Sequence, residues 1–149
     1  MARRVYRVCR FRYARLDGEG ARLVGGRWNS PGRAVVYMAE SVSLAVLENL
    51  VHLSWQDFPA NYVCVAAVLP DDLNIATEQD LRLRDDLRDL SPRELGDWWI
   101  DSKESAVLEV TSAVVQFEHN YLLNPAHPDF ADIAIDPPAL FHFDPRLFR

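Results

Sequence analysis

Glu48 is the residue of this sequence whose surroundings point most directly to chemistry. Ser41 is a suitable N-terminal cap for a helix that we predict over residues 42–55. Glu48 falls at the edge of the apolar stripe of this helix, which consists of Leu44, Leu47, Val51 and Trp55. A carboxylate beside an apolar surface is either held in a salt bridge or available to act on a substrate, and the spacing leaves both interpretations open.

An arginine follows two glycines in the segment GGRWN, residues 25–29. Glycines let the backbone approach a ligand closely, and Arg27 offers paired hydrogen bonds to a phosphate or carboxylate. The alternative is a glycine turn with a surface arginine. Tyr37 follows on a strand predicted over residues 34–39, where a half-buried aromatic side chain is the ordinary outcome.

Two further polar residues share predicted strand faces with apolar ones. Ser112 lies on a strand predicted over residues 106–115, on the face of Leu108 and Val110, where it is either functional or a small buried hydroxyl bonded to backbone. Arg7 lies on a strand predicted over residues 5–13, and an arginine on an apolar face must be paired or look into a cleft. The apolar residues on its face are Val5, Cys9 and Phe11.

The charge of the chain is unevenly distributed. The 149 residues carry a net charge of −6, which argues against a general nucleic-acid binder. Residues 1–33 hold nine arginines against Asp17 and Glu19, a net charge of +7, so the remainder carries −13. This distribution suggests a local anion site, although solvated arginines on a strand would give the same pattern.

Several classes of protein are disfavoured by the sequence. No apolar run is long enough to span a membrane, and the basic N-terminus lacks the apolar core of a signal peptide, so we expect a cytoplasmic protein without membrane contact. Cys9 and Cys64 are then expected to be reduced thiols within strands. The four histidines lack ligand spacing, so no metal site is predicted.

Strands and helices alternate without regular βαβ units, which favours a single α+β domain over residues 1–149. A helix is predicted to begin at the capping box Ser91-Pro92-Arg93-Glu94. Residues 14–33 are predicted to form a loop, and residues 119–129 to be rich in turns. The remaining predicted strands are residues 62–69, 132–136 and 140–143.

Two long blocks of the sequence resemble the RES-domain family. The first is GGRWNSPGRAVVYMAESVSLAVLENLVHL, residues 25–53, and the second is EVTSAVVQFEHNYLLNPAHPDF, residues 109–130. The arginine, glutamate and serine that give the family its name match Arg27, Glu48 and Ser112, and Tyr37 matches a further tyrosine of its active site. Thr111 stands where the family usually has proline.

The resemblance implies a fold similar to that of ADP-ribosyltransferases, with a split, strongly bent mixed β-sheet around an NAD+ cleft. It also implies a toxin of a toxin–antitoxin pair that depletes NAD+ by cleaving the nicotinamide–ribose bond. NAD+ would be a consumed substrate, so no resident cofactor is expected. The implied partner is an Xre-like helix-turn-helix antitoxin that blocks the cleft, in a complex of higher order.

Roles for individual residues follow from the same resemblance. Glu48 would stabilise the positive charge that develops on the ribose, and Ser112 would orient Glu48 or contact the nicotinamide side. Arg27 would bind NAD+ phosphate, with Arg7 as a second phosphate ligand. The remaining substrate contacts would come from Tyr37, Trp28 and Asn120.

Two other functions remain open. An ADP-ribosyltransferase would pass ADP-ribose to a macromolecule, but many such enzymes carry an acidic residue or glutamine two positions before the catalytic glutamate, where this chain has Val46. A non-catalytic partner-binding domain would use the same residues for packing. The acceptor in NAD+ cleavage, water or inorganic phosphate, is not indicated by the sequence.

Overall fold

The computed structural model describes residues 2–53 and 59–148. These residues form a mixed α+β domain, as predicted, and within them the structure contains one sheet of eight strands and four short α-helices. None of the described helices has the length and apolarity needed to cross a membrane. The strands are β1 (Arg3–Arg10), β2 (Val36–Ala39), β3 (Tyr62–Leu69), β4 (Ile75–Thr77), β5 (Val107–Thr111), β6 (His119–Leu123), β7 (Ala134–Ile135) and β8 (Ala139–Phe141); the helices are α1 (Glu19–Val24), α2 (Val42–Leu50), α3 (Glu78–Leu81) and α4 (Pro92–Ser102).

The sheet consists of two halves that meet at β1 and β2. The strand order is β4-β5-β6-β2-β1-β3-β7, with β8 also paired to β3, and only the β4–β5 pair is parallel. β1 pairs with β3 along its whole length, from Arg3 opposite Leu69 to Arg10 opposite Tyr62. The register between β1 and β2, in contrast, contains one pair, Tyr6 opposite Ala39. The sheet is therefore split at this junction.

Three hydrophobic clusters stabilise the domain. The inner cluster combines residues from both halves of the sheet, which shows that the sheet bends around it; among its members are Val5, Val36, Val65 and Val107. The opposite face carries two clusters under separate helices. The α4 cluster includes Trp28, Leu95, Trp99, Leu108 and Leu122. The α2 cluster consists of Val8, Ala39, Leu44, Ala45, Tyr62 and Phe143.

Local signals located two helix starts correctly. The hydroxyl of Ser41 accepts a hydrogen bond from the Leu44 amide at the start of α2. Ser91 and Glu94 form the predicted capping box at the start of α4. Both starts depend only on contacts within one helical turn, so the sequence alone identifies them.

The predicted extent and stripe of α2 need correction. The helix ends at Leu50, and the predicted stripe residue Trp55 lies outside the described residues. Leu44 is fully buried, but Leu47 and Val51 are exposed, so the true buried face consists of Leu44 and Ala45. Leu47 instead lines an apolar surface groove.

Other boundaries also differ from the sequence predictions. Residues 119–129 are not all turn, because His119–Leu123 is a strand between β5 and β2, and its pairing on both sides overrides the turn residues that follow it. The predicted loop over residues 14–33 contains the short helix α1. The first strand stops at Arg10, and Phe11 is exposed rather than on the buried face.

Both cysteines are free thiols in strands, as predicted. Cys9 is buried in β1 and Cys64 is half-buried in β3. Burial raises the pKa of the Cys64 thiol, so it stays protonated at neutral pH.

Candidate active site

The loop that carries Arg27 is folded around the side chain of Asn29, which is fully buried. The Asn29 amide donates hydrogen bonds to the carbonyls of Ala21 (2.9 Å) and Arg33 (3.1 Å). The Gly26 amide donates to the Asn29 carbonyl (3.0 Å), so residues 27 and 28 form the corner of a tight turn. Nothing in the sequence pattern singled out Asn29, because an asparagine in a glycine-rich loop has no signature of burial.

The hydroxyl of Tyr37 closes the same loop. It donates to Oδ1 of Asn29 (2.7 Å) and accepts from the Trp28 amide (3.0 Å). A Cβ at Gly26 would lie 2.6 Å from this hydroxyl, which explains the second glycine by close approach rather than by backbone conformation. Burial raises the pKa of Tyr37 to about 12, so the hydroxyl remains a donor at neutral pH. Its hydrogen is used within the protein, which leaves the ring as the part of Tyr37 available to a substrate.

Helix α4 fixes the position of this loop through backbone contact. A Cβ at Gly96 would lie 1.7 Å from the Trp28 carbonyl oxygen, so only glycine permits the loop to rest on the helix. Arg93, one turn earlier on α4, donates to the Gly26 carbonyl (3.3 and 3.1 Å). Gly96 was not identified from the sequence, since its partner is distant along the chain.

Acidic residues of α4 hold the end of the loop. The Asp97 carboxylate accepts from the Ser30 amide (2.8 Å) and the Ser30 hydroxyl (2.5 Å). Arg33 makes a two-point contact with Asp101 (2.9 and 2.8 Å), which lowers the pKa of Asp101. These two carboxylates of α4 therefore serve to position the loop of Arg27.

The Glu48 carboxylate is held by Ser112, and no cation among the described residues pairs with it. The Ser112 hydroxyl donates to Oε1 of Glu48 (3.0 Å) and accepts from the amides of Val114 (3.1 Å) and Val115 (3.0 Å). Among residues 2–53 and 59–148, no ion pair of Glu48 is present, so the predicted salt-bridge alternative finds no partner there. The carboxylate is half-buried and retains free acceptor capacity.

Strand register brings three of the predicted residues to one face of the sheet. Asn120 lies opposite both Ala39 on β2 and Val110 on β5. Tyr37 is two residues from Ala39, and Ser112 is two residues after Val110. Side chains alternate along a strand, so Tyr37, Ala39, Val110 and Asn120 share a face. The strand predicted over residues 106–115 ends at Thr111, and Ser112 continues its register by one residue because the Ser112 amide donates to the Glu118 carbonyl (2.8 Å).

This face is divided between two helices at the candidate site. Tyr37 packs against the α4 cluster, whereas Ala39 belongs to the α2 cluster. The boundary between the clusters therefore falls between these two neighbouring strand positions. Glu48 extends from α2 to this boundary, where its carboxylate accepts the hydrogen bond from Ser112.

Arg7 occupies a different position from the residues above. It follows Tyr6 directly, at the point where β1 separates from β2, but strand alternation places it on the opposite face, with Val5 and Cys9. Its Nε is buried and has no hydrogen-bond partner among the described residues. Arg7 thus brings an unsatisfied donor to the split in the sheet, on the other side from Tyr37 and Asn120.

Arg27 and Trp28 differ in accessibility although they are adjacent. Arg27 is exposed and forms no ion pair with a described residue. Trp28 is 4% exposed and packs in the α4 cluster. Its ring is therefore a packing element, and the structure gives no surface for its predicted contact with NAD+.

Part of the positive charge near the N-terminus is neutralised within the fold. Among the arginines of residues 1–33, several pair with carboxylates elsewhere in the chain or nearby: Arg3 with Glu109, Arg4 with Asp136, Arg22 with Glu19, and Arg33 with Asp97 and Asp101. The basic character expected from the sequence is therefore reduced to those arginines that lack such partners, including Arg7 and Arg27.

Comparison with known proteins gives a consistent assignment. The RES domain family model matches residues 4–144. A Prs ADP-ribosylating toxin of Sphingobium sp. (strain YBL2) is 38% identical over 140 residues, covering 90% of this chain and 87% of the relative. A Toxin Res of Yersinia enterocolitica is 36% identical over 149 residues, covering 96% and 98%.

A solved structure shares the fold at low sequence identity. A chain of the crystal structure of the M. tuberculosis MbcT–MbcA toxin–antitoxin complex matches with a TM-score of 0.70 and 17% identity, covering 99% of this chain and 87% of that chain. The fold, the register that gathers the candidate residues, and the match over nearly the whole chain agree: this protein belongs to the RES-domain toxin family.

Proposed function

We propose that this protein is the toxin of a toxin–antitoxin pair and that it cleaves the nicotinamide–ribose bond of NAD+. The observation that carries the proposal is the state of Glu48, a half-buried carboxylate that accepts a hydrogen bond from Ser112 and has no ion pair with a described residue. A carboxylate in such surroundings stabilises a nearby positive charge more strongly than one in water does.

The reaction needs this kind of stabilisation. When the bond between the ribose carbon and the pyridinium nitrogen breaks, the electron pair leaves with nicotinamide, which becomes neutral. The ribose then carries the positive charge of an oxocarbenium ion. An acceptor oxygen from water or inorganic phosphate adds to that carbon, and the acceptor's proton passes to solvent. No general acid is required for the leaving group, so one carboxylate near the ribose is sufficient.

The hydrogen bonds of Ser112 support a positioning role for it. Its hydrogen goes to Glu48, and its oxygen accepts from two backbone amides, so its bonding capacity is used within the protein. Ser112 is accordingly a positioning residue for Glu48 rather than a ligand of nicotinamide.

The phosphates of NAD+ would be bound by arginines that the fold leaves without carboxylate partners. Arg27 presents an exposed guanidinium at the corner of a tight turn. Arg7, whose buried Nε has no partner among the described residues, lies on the opposite face from Tyr37 and Asn120, so it would have to reach a phosphate through the split in the sheet. The ring of Tyr37 and the amide of Asn120 share the face of Ser112 and would contact the nicotinamide ribose. NAD+ is a consumed substrate in this proposal.

A second reaction is favoured by the name of one relative. The Sphingobium relative is an ADP-ribosylating toxin, which transfers ADP-ribose to another molecule. In this chain, the position two before Glu48 is Val46, which packs against the α2 cluster and provides no polar group for a macromolecular acceptor. The apolar residue at this position favours a small acceptor for the protein described here.

The partner in the proposal is an antitoxin protein. The structural neighbour comes from a toxin–antitoxin complex, which supports a partner of this class. We further propose that it is an Xre-like helix-turn-helix protein, that it blocks the cleft, and that the complex is of higher order.

The test uses the free chain, purified away from any bound partner and incubated with NAD+. We expect release of free nicotinamide, and Glu48→Gln should reduce the rate by about 1000-fold because it removes the negative charge and keeps the shape. Glu104→Gln, which changes a glutamate just after the end of α4 that pairs with Arg84, serves as the matched control and should retain the rate. A Glu48→Gln variant as active as the wild type would contradict the proposal.

NAD+ labelled in the ADP-ribose part distinguishes the acceptors. Free ADP-ribose indicates water, a phosphorylated ADP-ribose formed only when phosphate is added indicates inorganic phosphate, and label retained on protein or RNA indicates the transferase. The third result would replace hydrolysis or phosphorolysis of NAD+ with transfer of ADP-ribose to a macromolecule.

A further inference from the structure

Phe117 combines two unfavourable properties in one residue. Phe117 is 92% exposed, more than any other large hydrophobic residue among those that the structure describes. Its backbone has a φ of 73°, in the left-handed region that a bulky L-residue rarely adopts and that glycine adopts without cost. A residue with this exposure gives almost no packing energy to the fold, while its backbone conformation destabilises the free protein.

The segment that holds Phe117 in this conformation is well fixed. The Ser112 hydroxyl accepts from the amides of Val114 and Val115, and the Ser112 amide donates to the Glu118 carbonyl (2.8 Å). Val115 packs against the α2 cluster. The loop over residues 112–118 is thus closed at its base and anchored in its middle, and the strained conformation is imposed on Phe117 by its surroundings.

The base of this loop is also the support of the proposed reaction centre. Ser112 donates to Glu48 and is bonded to the residue after Phe117. Phe117 therefore projects from the rim of the candidate site, one backbone hydrogen bond away from the serine that orients the carboxylate.

From these observations we infer that Phe117 is an anchor for a protein partner that carries an apolar pocket, and that this partner is the antitoxin of the proposed pair. A convex, fully exposed aromatic ring fits a concave surface on a macromolecule, where such a residue becomes buried and contributes much of the binding energy. A small ligand, in contrast, is itself enclosed by concave walls of the protein. Burial on binding offsets the strain that the free protein carries. The inference rests on the proposed function for the identity of the partner.

The experiment measures binding and catalysis separately. The partner used is the proposed antitoxin, which is sought as a small protein encoded in the reading frame next to the gene for this chain, and its affinity is measured by calorimetry against the full chain. We expect Phe117→Ala to weaken the complex by at least about 30-fold, as for an aromatic hot spot, with unchanged NAD+ consumption by the free chain. Leu140→Ala is the matched control, because Leu140 is 80% exposed and lies on β8 in the other half of the sheet.

A second variant separates a binding role from a structural one. Phe117→Gly relieves the positive φ, so it should raise the melting temperature of the free chain while weakening the complex as Phe117→Ala does. An affinity unchanged in both variants would overturn the inference. So would an increased KM for NAD+ with unchanged partner affinity, which would assign the ring to substrate stacking. Because affinity is measured without NAD+, absence of NAD+ cleavage by the wild type would count against the proposed function and not against this contact.

Discussion

Two loops border the candidate site, and the protein holds them in opposite ways. The loop over residues 25–33 has its polar groups engaged with Asn29, Tyr37 and α4. The polar contacts of the loop over residues 112–118 centre on one side chain, Ser112, which also holds Glu48. In the first loop the backbone is fixed, and the Arg27 guanidinium has no ion pair with a described residue. In the second loop Ser112 fixes the Glu48 carboxylate, which can still accept further hydrogen bonds. In both cases, polar side chains that resemble catalytic residues act as supports.

This comparison separates residues that hold the candidate site from residues that are proposed to act in it. Tyr37 and Ser112 both match the family's active-site positions, yet their hydroxyl hydrogens are donated within the chain. Arg27 and Glu48 have no ion-pair partner among the described residues. Variants of the supporting residues should therefore alter stability and geometry together, whereas variants of Glu48 should alter the reaction alone.

The largest effect on the first loop is expected from Gly96→Ala. An alanine in a helix normally stabilises it by about 1 kcal/mol relative to glycine. Here the new Cβ would collide with the Trp28 carbonyl, so we expect the free energy of unfolding to fall by about 3 kcal/mol instead. Urea denaturation measures the difference. Gly20→Ala on α1, where a Cβ meets no atom within 4 Å, is the control and should be neutral or stabilising; equal results for the two variants would remove the backbone contact from the explanation.

A smaller effect is expected from Tyr37→Phe. The change leaves Oδ1 of the buried Asn29 without its donor and the Trp28 amide without its acceptor, so we expect a loss of about 2 kcal/mol. Denaturation at neutral pH measures this loss. An unfolding free energy within error of the wild type would show that the loop does not depend on this hydroxyl.

The pH dependence of stability provides an independent check on Tyr37. Its pKa is about 12 in the folded chain against 10.0 as the ordinary value, so the unfolded chain loses this proton first. The stabilising contribution is complete below pH 10 and is lost as the pH rises from 10 towards 12. Tyr121, whose pKa is also raised by burial and by Glu109, contributes in the same direction in both proteins. We therefore expect the wild type to lose stability more steeply than Tyr37→Phe in this range; parallel curves would contradict the assignment.

The smallest effect on stability, with a clear effect on catalysis, is expected from Ser112→Ala. Two backbone amides lose their acceptor near the surface, at a cost of about 1 kcal/mol. Glu48 loses its orienting donor, and we expect kcat for nicotinamide release to fall by about 100-fold with little change in KM. Steady-state kinetics of nicotinamide release by Ser112→Ala, Glu48→Gln and the wild type measure kcat and KM for each. A rise in KM at unchanged kcat would instead make Ser112 a substrate ligand.

Features that depend only on residues close together in the sequence were predictable from it. The caps at Ser41 and Ser91, the strand over residues 62–69 and the α+β class all follow from local patterns. The predicted apolar stripe of α2 was wrong because the helix is shorter than its apolar pattern, and because Leu47 and Val51 are exposed. The strand His119–Leu123 was missed because its pairing with β2 and β5 outweighs the turn signals that follow it.

The sequence by itself determined the family and the class of fold, and it identified the residues that we propose to act on NAD+, because these are carried by contiguous blocks and by side-chain chemistry. Only the tertiary structure decided how those residues divide their work. Whether Glu48 has a salt bridge, whether the Tyr37 hydroxyl is free, and whether Trp28 or Phe117 is exposed depend on contacts between segments distant along the chain. Such contacts are set by strand register and helix packing, which no local pattern specifies.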